Sequence, residues 1–423
     1  MRILWVKSGG LVPLDHGGKI RSFQLAKVLA QTHEVSLFTF YQSTPDDAHA
    51  ELRQIFARVM CVPITVPAQH SRSEYLAYAK NIFSSRPYSV TKYCQPHVAK
   101  ELREHLREEH YDIIVCDFLL TADVLPWDLP GARVLFMHNV EAQIWERHFQ
   151  VAQNLVWKAA CYREFRTMAK MEREYLQRAN HVLAVSEADR KIFSRDVPSS
   201  NISVIPTGVD VDYFRPAGEM EQSNSLVFTG SMDWLPNEDG VLYFVEKILP
   251  LVRQELPDTC LSIVGRRPSS KLRKLADRVA GIEVTGKVDD IRPYVARASV
   301  YVVPLLVGGG TRLKIFEAMA MGKAIVSTTI GAEGLPVVGG QHIYLADESA
   351  EFARQVVTLL RNRARRDEMG GFARQLVERN YTWSSVGKQL DHVLVQVSQD
   401  FRSGKQSGRN WGQPADLAKD QKH

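Results

Sequence analysis

The sequence has few cysteines and no long hydrophobic run, and these two absences exclude several classes of protein. Its five cysteines are scattered, odd in number and never spaced as C-x-x-C. That usage argues against a disulfide framework and a zinc site and fits a reducing cytosol. No apolar stretch approaches the roughly 20 residues needed to span a bilayer. The N-terminus reads directly into a strand, so we expect no signal peptide and a protein on the cytoplasmic side.

The chain also lacks a strong charge of either sign. Its net charge is +5 over 423 residues, and no basic tract is dense enough to indicate binding to nucleic acid. The hydrophobic content of 45% is that of an ordinary globular protein. A chain of this length is too long for one compact core, so we expect two or three domains.

Short apolar runs alternate with amphipathic stretches along the whole chain. Continuous apolar strands with helical crossovers are typical of parallel sheets covered on both faces, and two sets of similar size predict two doubly wound domains. The predicted strands are Ile3–Val6, Val35–Phe40, Val59–Ile64, Ile113–Cys116, Val134–Met137, Val182–Val185, Leu226–Phe228, Leu261–Val264, Ile282–Thr285, Val300–Val303, Ala324–Ser327 and His342–Leu345.

Turn residues near Asn201–Pro216 indicate a break between the two sets of strands. We therefore expect one Rossmann-like domain over residues 1–200 and a second over 201–380. A last helix over 381–400 should return to the first domain, which makes the two crossings near 201–216 and 381–383 candidate hinges. Residues 401–423 are polar and are predicted to be a disordered tail.

The segment from Gly308 to Gly322 carries the strongest functional pattern. Three glycines precede a helix-favouring run, and Gly322 is placed to end it. A helix that begins in a glycine-rich loop directs free N–H groups and a positive dipole end towards an anion, usually a phosphate. Glu317 lies six residues beyond Thr311, roughly 9 Å along a helix, about the distance from a diphosphate to a ribose. The alternative is a glycine-capped core helix with a solvated glutamate.

Polar residues also follow the strands of the first half. The long loop after the first strand ends in Gly17 and Gly18, which could let the backbone approach a substrate; the alternative is a flexible surface loop. This loop is not a dinucleotide-binding fingerprint, so a nicotinamide enzyme is disfavoured. His138, Asn139 and Glu141 follow the strand Val134–Met137 and could each bind a sugar. A lone histidine is as often structural.

Three groups of residues in the second half are candidates for phosphate binding. Gly230 and the pair Arg266 and Arg267 each follow a strand, and arginine suits a phosphate well; solvated loops are the alternative. Arg312 and Lys314 lie in the first turn of the glycine-opened helix. Cations disfavour that position unless an anion is present. The alternative for Lys314 is a surface salt bridge with Glu317 at i, i+3.

The stretch Trp157–Arg178 is basic and amphipathic, which leaves two interpretations open. It could lie on a membrane surface, or it could pack on its own sheet through Cys161, Met168 and Leu176. A helix packed on its own sheet is favoured, because the glutamates in this stretch offset part of its positive charge.

Taken together, these motifs resemble a bacterial glycosyltransferase of family 4, with the GT-B architecture. The resemblance extends to about Phe401 and is carried by the glycine-rich first loop, Ile205–Asp210 with Phe214, Phe316–Gly322 and Glu333–Leu335, all in order. Three segments are similar in sequence to those of sugar transferases of exopolysaccharide systems: His138–Glu141, Gly230–Trp234 and Gly308–Lys314.

The resemblance implies two doubly wound Rossmann-like domains facing across a cleft, with the acceptor on the N-terminal domain and a nucleotide-diphospho-sugar on the C-terminal domain. It implies transfer with retention of configuration, no divalent metal, no cofactor and a glycan or lipid-linked saccharide as acceptor. Peripheral contact with the inner membrane face stays open. The residues expected to act are His138 and Glu317 in catalysis, Asn139 and Glu141 at the acceptor, and Gly17, Gly18, Gly230, Arg266, Arg267, Gly309, Gly310, Thr311, Arg312, Lys314 and Glu317 at the donor.

Two departures from the family pattern leave other functions open. The family has two glutamates eight positions apart, but Gly309 stands where the first belongs. The loop Ser231–Asn237 also lacks the usual arginine and lysine. Gly309 makes a catalytically silent sugar-nucleotide binder a plausible alternative, and a nucleotide-sugar epimerase on the same fold is the other. No residue is an obvious nucleophile, which favours direct front-face attack over a covalent intermediate.

Overall fold

The structure, a computed structural model, describes residues 1–14, 17–42, 47–68, 71–218, 221–307 and 312–404. Two separate sheets, each with every strand pair parallel, are flanked by helices. The predicted α/β class with two doubly wound halves is therefore confirmed.

The first sheet has seven strands in the order β3-β2-β1-β4-β5-β6-β7. Its strands are β1 (Arg2–Ser8), β2 (Glu34–Tyr41), β3 (Arg58–Pro63), β4 (Ile113–Asp117), β5 (Ala132–Phe136), β6 (His181–Ala184) and β7 (Ile202–Val204). Its helices are α1 (Gly17–Leu29), α2 (Asp47–Ile55), α3 (Arg72–Asn81), α4 (Tyr88–Thr91), α5 (Pro96–Glu108), α6 (Glu141–Val151), α7 (Leu155–Arg178) and α8 (Glu187–Phe193). Alternate residues of β1 enter two different cores, Ile3 and Trp5 on one face and Leu4 and Val6 on the other, as a sheet covered on both sides requires.

The second sheet has six strands in the order β10-β9-β8-β11-β12-β13. They are β8 (Ser225–Thr229), β9 (Cys260–Val264), β10 (Ile282–Gly286), β11 (Val300–Val303), β12 (Ile325–Ser327) and β13 (Tyr344–Leu345). The remaining helices are α9 (Leu235–Tyr243), α10 (Leu249–Glu255), α11 (Ser270–Arg278), α12 (Arg292–Arg297), α13 (Leu313–Ala320), α14 (Ser349–Arg361), α15 (Arg363–Asn380) and α16 (Trp383–Arg402), with a π-helical turn at Phe244–Ile248 joining α9 to α10. One continuous apolar core surrounds this sheet.

All twelve predicted strands are present, with ends that differ by at most two residues. The strand Ile202–Val204 was missed. It pairs with β6 and extends the first sheet past the expected boundary at residue 200. Three residues are too few for a periodic pattern to be recognised, and the neighbouring turn residues favoured a linker.

The two crossings between the halves contact each other. The N–H of Val209 donates to the carbonyl of Tyr381 at 2.8 Å, and a Cβ on Gly208 would lie 2.5 Å from the Trp383 ring. Helix α16 then packs on α1, and Trp383 and Leu390 join the core of the first sheet. The last helix is thus part of the first half, and residues 405–423 lie outside the described residues.

Helix α7 packs against the first sheet, which is the interpretation favoured from the sequence. Cys161, Met168 and Leu176 are buried as predicted, whereas Leu155 and Val156 at its start are exposed. Among the described residues, no helix combines the length and the apolar character that crossing a membrane requires.

Candidate active site

A buried ionic cluster lies at the carboxyl edge of the first sheet. Asp117 ends β4, and its carboxylate accepts from Trp5 Nε1 at 2.8 Å and lies 3.3 Å from Lys7 Nζ. His138 Nε2 is 2.7 Å from the other carboxylate oxygen. Burial alone would raise the pKa of Asp117, but Lys7 and His138 hold it well below its ordinary range. Since burial lowers the pKa of His138 to about 4, the histidine is neutral near pH 7.

Aromatic rings fix the orientation of His138. Its ring stacks on Phe118 with centroids 3.8 Å apart and contacts Phe136 at 4.5 Å. Phe118 adopts φ +71°, an unusual conformation for a residue other than glycine. Because a carboxylate only accepts, Nε2 must carry the proton and donate to Asp117, which leaves Nδ1 as an acceptor. Nδ1 is buried and has no hydrogen-bond partner among the described residues.

Asn139 and Glu141, the two residues predicted at the acceptor, follow His138 closely in the chain but have different surroundings. Asn139 lines the pocket between the two halves. Its Nδ2 donates to Glu141 Oε1 at 3.2 Å, while the N–H of Glu141 donates to Glu172 Oε1 at 3.1 Å. Burial raises the pKa of Glu141 and, with the neighbouring carboxyl group, raises that of Glu172 to about 8. Glu141 is therefore placed against Glu172 and begins α6.

Lys314 of α13 reaches the strand ends of the second sheet. Its Nζ donates to Asn237 Oδ1 at 2.6 Å and lies 4.2 Å from the centroid of the Phe228 ring. A Cβ on Gly230 would come within 2.7 Å of this ammonium, so the glycine leaves the room that Lys314 occupies. Burial lowers the pKa of Lys314 to about 7, with a further contribution from Arg312. Lys314 is thus directed to Asn237 and not held in the surface salt bridge that was its alternative.

Glu317 lies one turn further along α13. Burial raises its pKa to about 7, while Lys314 acts in the opposite direction. The helix begins at Leu313, not directly after the glycines, so Glu317 is about 6 Å from the first helical residue. Arg312, expected in the first turn, therefore lies before the helix, whereas the expected 9 Å spacing from Thr311 stays a prediction, because Thr311 lies outside the described residues. The helix ends as predicted, because Gly322 takes φ +69° just beyond it.

Arg312, predicted as a phosphate ligand, lines the pocket between the two halves of the chain. It lies just before α13 with φ +52° and is buried. Its Nη2 donates to the carbonyl of Ile330 at 2.7 Å and lies 3.7 Å from Glu333 Oε2. The same carboxylate oxygen is 3.6 Å from Arg147 Nη2 on α6. Glu333 therefore links the two halves of the chain across the cleft.

The two arginines after β9 contact the loop after β8. Arg266 Nε donates to Ser231 Oγ at 2.7 Å. Arg267 Nη1 is 3.2 Å from Asp233 Oδ2, and its side chain is mostly exposed. Both cations thus lie beside the loop that lacks the family's arginine and lysine, and the carbonyl of Arg266 accepts from the N–H of Met232 in that loop at 3.0 Å.

Gly17 and Gly18, predicted to end the loop after the first strand, instead form the first turn of α1. Their position at a helix N-terminus beside the carboxyl edge of the sheet keeps them available to an anion. Gly309, Gly310 and Thr311, predicted at the donor, lie outside the described residues.

A pocket joins the two halves of this site. Residues of the first half, including His138, Asn139 and Asp189, line one side, and Arg312, Phe316 and Glu333 line the other. A Cβ on Gly334 would lie 2.9 Å from Ser186 Cβ, so the walls are in contact there. In the part of the chain that the structure describes, no group of three His, Cys, Asp or Glu side chains is placed to hold a metal ion.

Several residues of this site were not predicted from the sequence. Asp117 and Lys7 could have been found, since each is a charged residue at the end of an apolar strand, the signal that identified His138. Glu333 and Arg147 carry no local signal, because their pairing depends on how the two halves face each other.

Comparison with solved structures identifies the class of fold to which this chain belongs. Sucrose-phosphate synthase from Thermosynechococcus elongatus superposes with a TM-score of 0.70 over 94% of this chain and 98% of its own, at 17% identity. HepE from Anabaena, solved with UDP and glucose, gives 0.65 over 93% and 99%, at 15% identity. The chain has the two-domain GT-B fold of glycosyltransferases.

The sequence comparisons identify the family. Residues 17–213 match the family model described as Glycosyltransferase Family 4, and residues 223–362 match Glycosyl transferases group 1. The chain belongs to the family 4 type of bacterial glycosyltransferases. It is 22% identical to an uncharacterised 44.6 kDa protein in the cps region of Klebsiella pneumoniae, over 91% of this chain and 97% of that protein. It is 30% identical to a phosphatidyl-myo-inositol mannosyltransferase of Mycobacterium tuberculosis, over 51% of this chain and 59% of that enzyme.

Proposed function

We propose that this glycosyltransferase moves a sugar from a nucleotide-diphospho-sugar to a glycan or lipid-linked saccharide, with retention of configuration and without a divalent metal. The observation that carries the proposal is the pocket shared by the two sheets, which brings His138 of one half opposite the start of α13 in the other. We assign the reaction to exopolysaccharide or envelope polysaccharide assembly on the cytoplasmic side, in keeping with the relative in the Klebsiella cps region.

The donor half is assigned to α13 and the strand ends beside it. In its protonated form, Lys314 supplies a full positive charge for the leaving diphosphate, while a helix N-terminus contributes only about half a charge. Glu317, one turn further, would accept hydrogen bonds from the ribose hydroxyls. HepE was solved with UDP-glucose, and a corynebacterial relative is a GDP-mannose-dependent mannosyltransferase. Both relatives support a nucleotide-sugar donor here.

The acceptor half is assigned to His138. Its Nε2–H is committed to Asp117, so Nδ1 is left to accept a hydrogen bond from a substrate hydroxyl. A histidine whose pKa is about 4 does not act as a general acid near pH 7. Its role would be to orient the sugar, while the departing diphosphate takes the proton of the attacking hydroxyl.

Thermal denaturation with a panel of nucleotide-sugars tests the donor assignment, because a ligand that binds only the folded state raises the melting temperature. At least one sugar nucleotide should stabilise the chain in EDTA, and a product formed from it should keep the donor's anomeric configuration. Activity that EDTA abolishes and magnesium or manganese restores would contradict metal independence. Conversion of the donor without acceptor would indicate the epimerase, and binding without turnover the silent binder.

A further inference from the structure

Asn237 connects the loop after β8 to Lys314 and was not predicted as a site residue. It lies in the first turn of α9 and is 3% exposed. Its backbone N–H donates to the carbonyl of Trp234 at 2.9 Å, and its side-chain Nδ2 donates to the carbonyl of Ser231 at 2.8 Å. Both the backbone and the side chain of Asn237 are therefore fixed against this loop.

The orientation of the Asn237 amide follows from its two partners. A carbonyl oxygen can only accept a hydrogen bond, and an ammonium can only donate one. The amide nitrogen must therefore face Ser231, and the amide oxygen must face Lys314 Nζ, which donates to it at 2.6 Å. A Cβ on Gly230 would lie 2.8 Å from Nδ2 and 2.7 Å from Nζ. The glycine thus keeps the space that both groups occupy at the end of β8.

The hydrogen-bond and ring partners of Lys314 in the described part of the chain are uncharged. Besides the Asn237 amide, the ammonium lies over the Phe228 ring, with Nζ 4.2 Å from its centroid. A neutral acceptor and an aromatic ring orient an ammonium without neutralising it. Because an ammonium has three N–H groups, it keeps the capacity to donate to a phosphate oxygen, and its charge stays available to a diphosphate.

Charged and titratable groups approach Lys314 from several elements. Burial is the main cause that lowers its pKa, Arg312 before α13 lowers the pKa further, and Glu317 on the next turn raises it. Arg266, after β9, contacts the loop after β8. Tyr301 on β11 lies near Glu317 and is neutral, because burial raises its pKa. A change at the amide should therefore displace the titration of Lys314 against a background set by these four groups.

We propose that Asn237 positions Lys314 for the donor diphosphate, as a neutral acceptor that holds the ammonium at the end of β8. The proposal rests on the donor assignment of the proposed function. It gives a reason for asparagine, because an aspartate would also hold the ammonium but its negative charge would compete with the diphosphate. The loop that lacks the family's arginine and lysine thus presents a cation carried by α13.

Two substitutions separate this role from simple support of the loop. Asn237→Asp and Asn237→Leu both lose the bond to the Ser231 carbonyl, but the first places a carboxylate beside Lys314 and the second leaves no acceptor there. The midpoint of the Lys314 titration should rise by at least about one pH unit in Asn237→Asp and fall by about one pH unit in Asn237→Leu. The carbon-13 chemical shift of the lysine Cε measures this midpoint without a donor, and Lys314→Gln identifies the signal.

Donor binding supplies a second measurement. UDP-glucose or GDP-mannose should bind Asn237→Asp at least about tenfold more weakly than the wild type at pH 7, although more of its Lys314 is protonated, because the new carboxylate repels the diphosphate. Glu238→Gln is the matched control. It removes the next charge in the chain, on a side chain that accepts from Ser269, and should titrate and bind like the wild type.

Midpoints that stay unchanged, or that move in the same direction in both variants, would overturn the proposal. An Asn237→Asp variant that binds the donor as tightly as the wild type would overturn it as well. If Asn237→Leu does not fold, Asn237→Ala takes its place. If the wild type binds neither nucleotide-sugar, the donor assignment fails, while the Lys314 titration still decides whether Asn237 holds the ammonium.

Discussion

Donor binding should follow a bell-shaped pH profile centred near pH 7. Lys314 and Glu317 both have a pKa of about 7, the lysine lowered by burial and the glutamate raised by it. If the donor needs the ammonium on its diphosphate and the carboxylate on its ribose, binding requires Lys314 protonated and Glu317 ionised together. Glu317 loses its charge as the pH falls below 7, and Lys314 loses its charge as the pH rises above 7.

The size of the effect follows from the two ionised fractions. At pH 7 each group is about half in the required form, so about a quarter of the molecules are competent. One unit to either side, that fraction falls about threefold, and at pH 5 or pH 9 about 25-fold. His138 does not contribute between pH 5.5 and 9, because its pKa is about 4.

Isothermal titration calorimetry with a nucleotide-sugar measures this profile directly. A nucleotide-sugar is preferable to a free nucleoside diphosphate, because a phosphate monoester has its own ionisation near pH 6. Lys314→Gln should weaken binding at pH 6 but hardly at pH 9, where the wild-type lysine is already neutral. Glu317→Gln should weaken binding at pH 8 but hardly at pH 5. A donor that binds with the same affinity from pH 5.5 to pH 8.5 would refute the assignment of both residues.

Three further changes test other parts of the structure. Asp117→Asn replaces a carboxylate, which only accepts, by an amide that can also donate, so the His138 tautomer is no longer fixed and transfer should fall at least about tenfold with donor affinity unchanged. Equal losses of transfer and donor affinity would argue against a positioning role. Glu333→Gln weakens the contact with Arg147, so small-angle scattering of the ligand-free chain should give a larger radius of gyration than the wild type, and an unchanged radius would show that the contact does not hold the halves together. Burial raises the pKa of Glu172 to about 8, so stability is greatest at low pH and falls as the pH rises through 8. Glu172→Gln should therefore raise the melting temperature at pH 9 by about 2–4 °C for each kcal/mol recovered and leave it unchanged at pH 5, whereas equal shifts at both pH values would contradict the raised pKa.

Most of the fold could be predicted because parallel strands leave a strong local signal. Each buried strand is a short apolar run such as Ile113–Asp117 or Val300–Val303, and helical stretches separate the runs. Their carboxyl ends must lie at one edge of each sheet, so polar residues directly after them could be proposed as site residues. That rule placed His138 and Gly230 correctly at strand ends.

The parts that could not be predicted depend on contacts distant in the sequence. Lys314 donates to Asn237, and Arg312 lies close to Glu333. Both contacts depend on how the loops fold back on the sheet, and no spacing in the sequence identifies either partner. The start of α13 was misplaced because glycine-rich sequence does not say where helical geometry begins. Glu141 was predicted at the acceptor from its position after a strand, and the bond from its backbone N–H to Glu172 could not be read from the sequence.

The most direct test of the central claim is acceptor-dependent release of nucleoside diphosphate in EDTA, measured with the nucleotide-sugar that stabilises the chain and a panel of free and lipid-linked saccharides. We predict release with at least one acceptor by the wild type, and release reduced at least about tenfold in Glu317→Ala. Donor binding without release for every acceptor, or equal release by wild type and variant, would contradict the account.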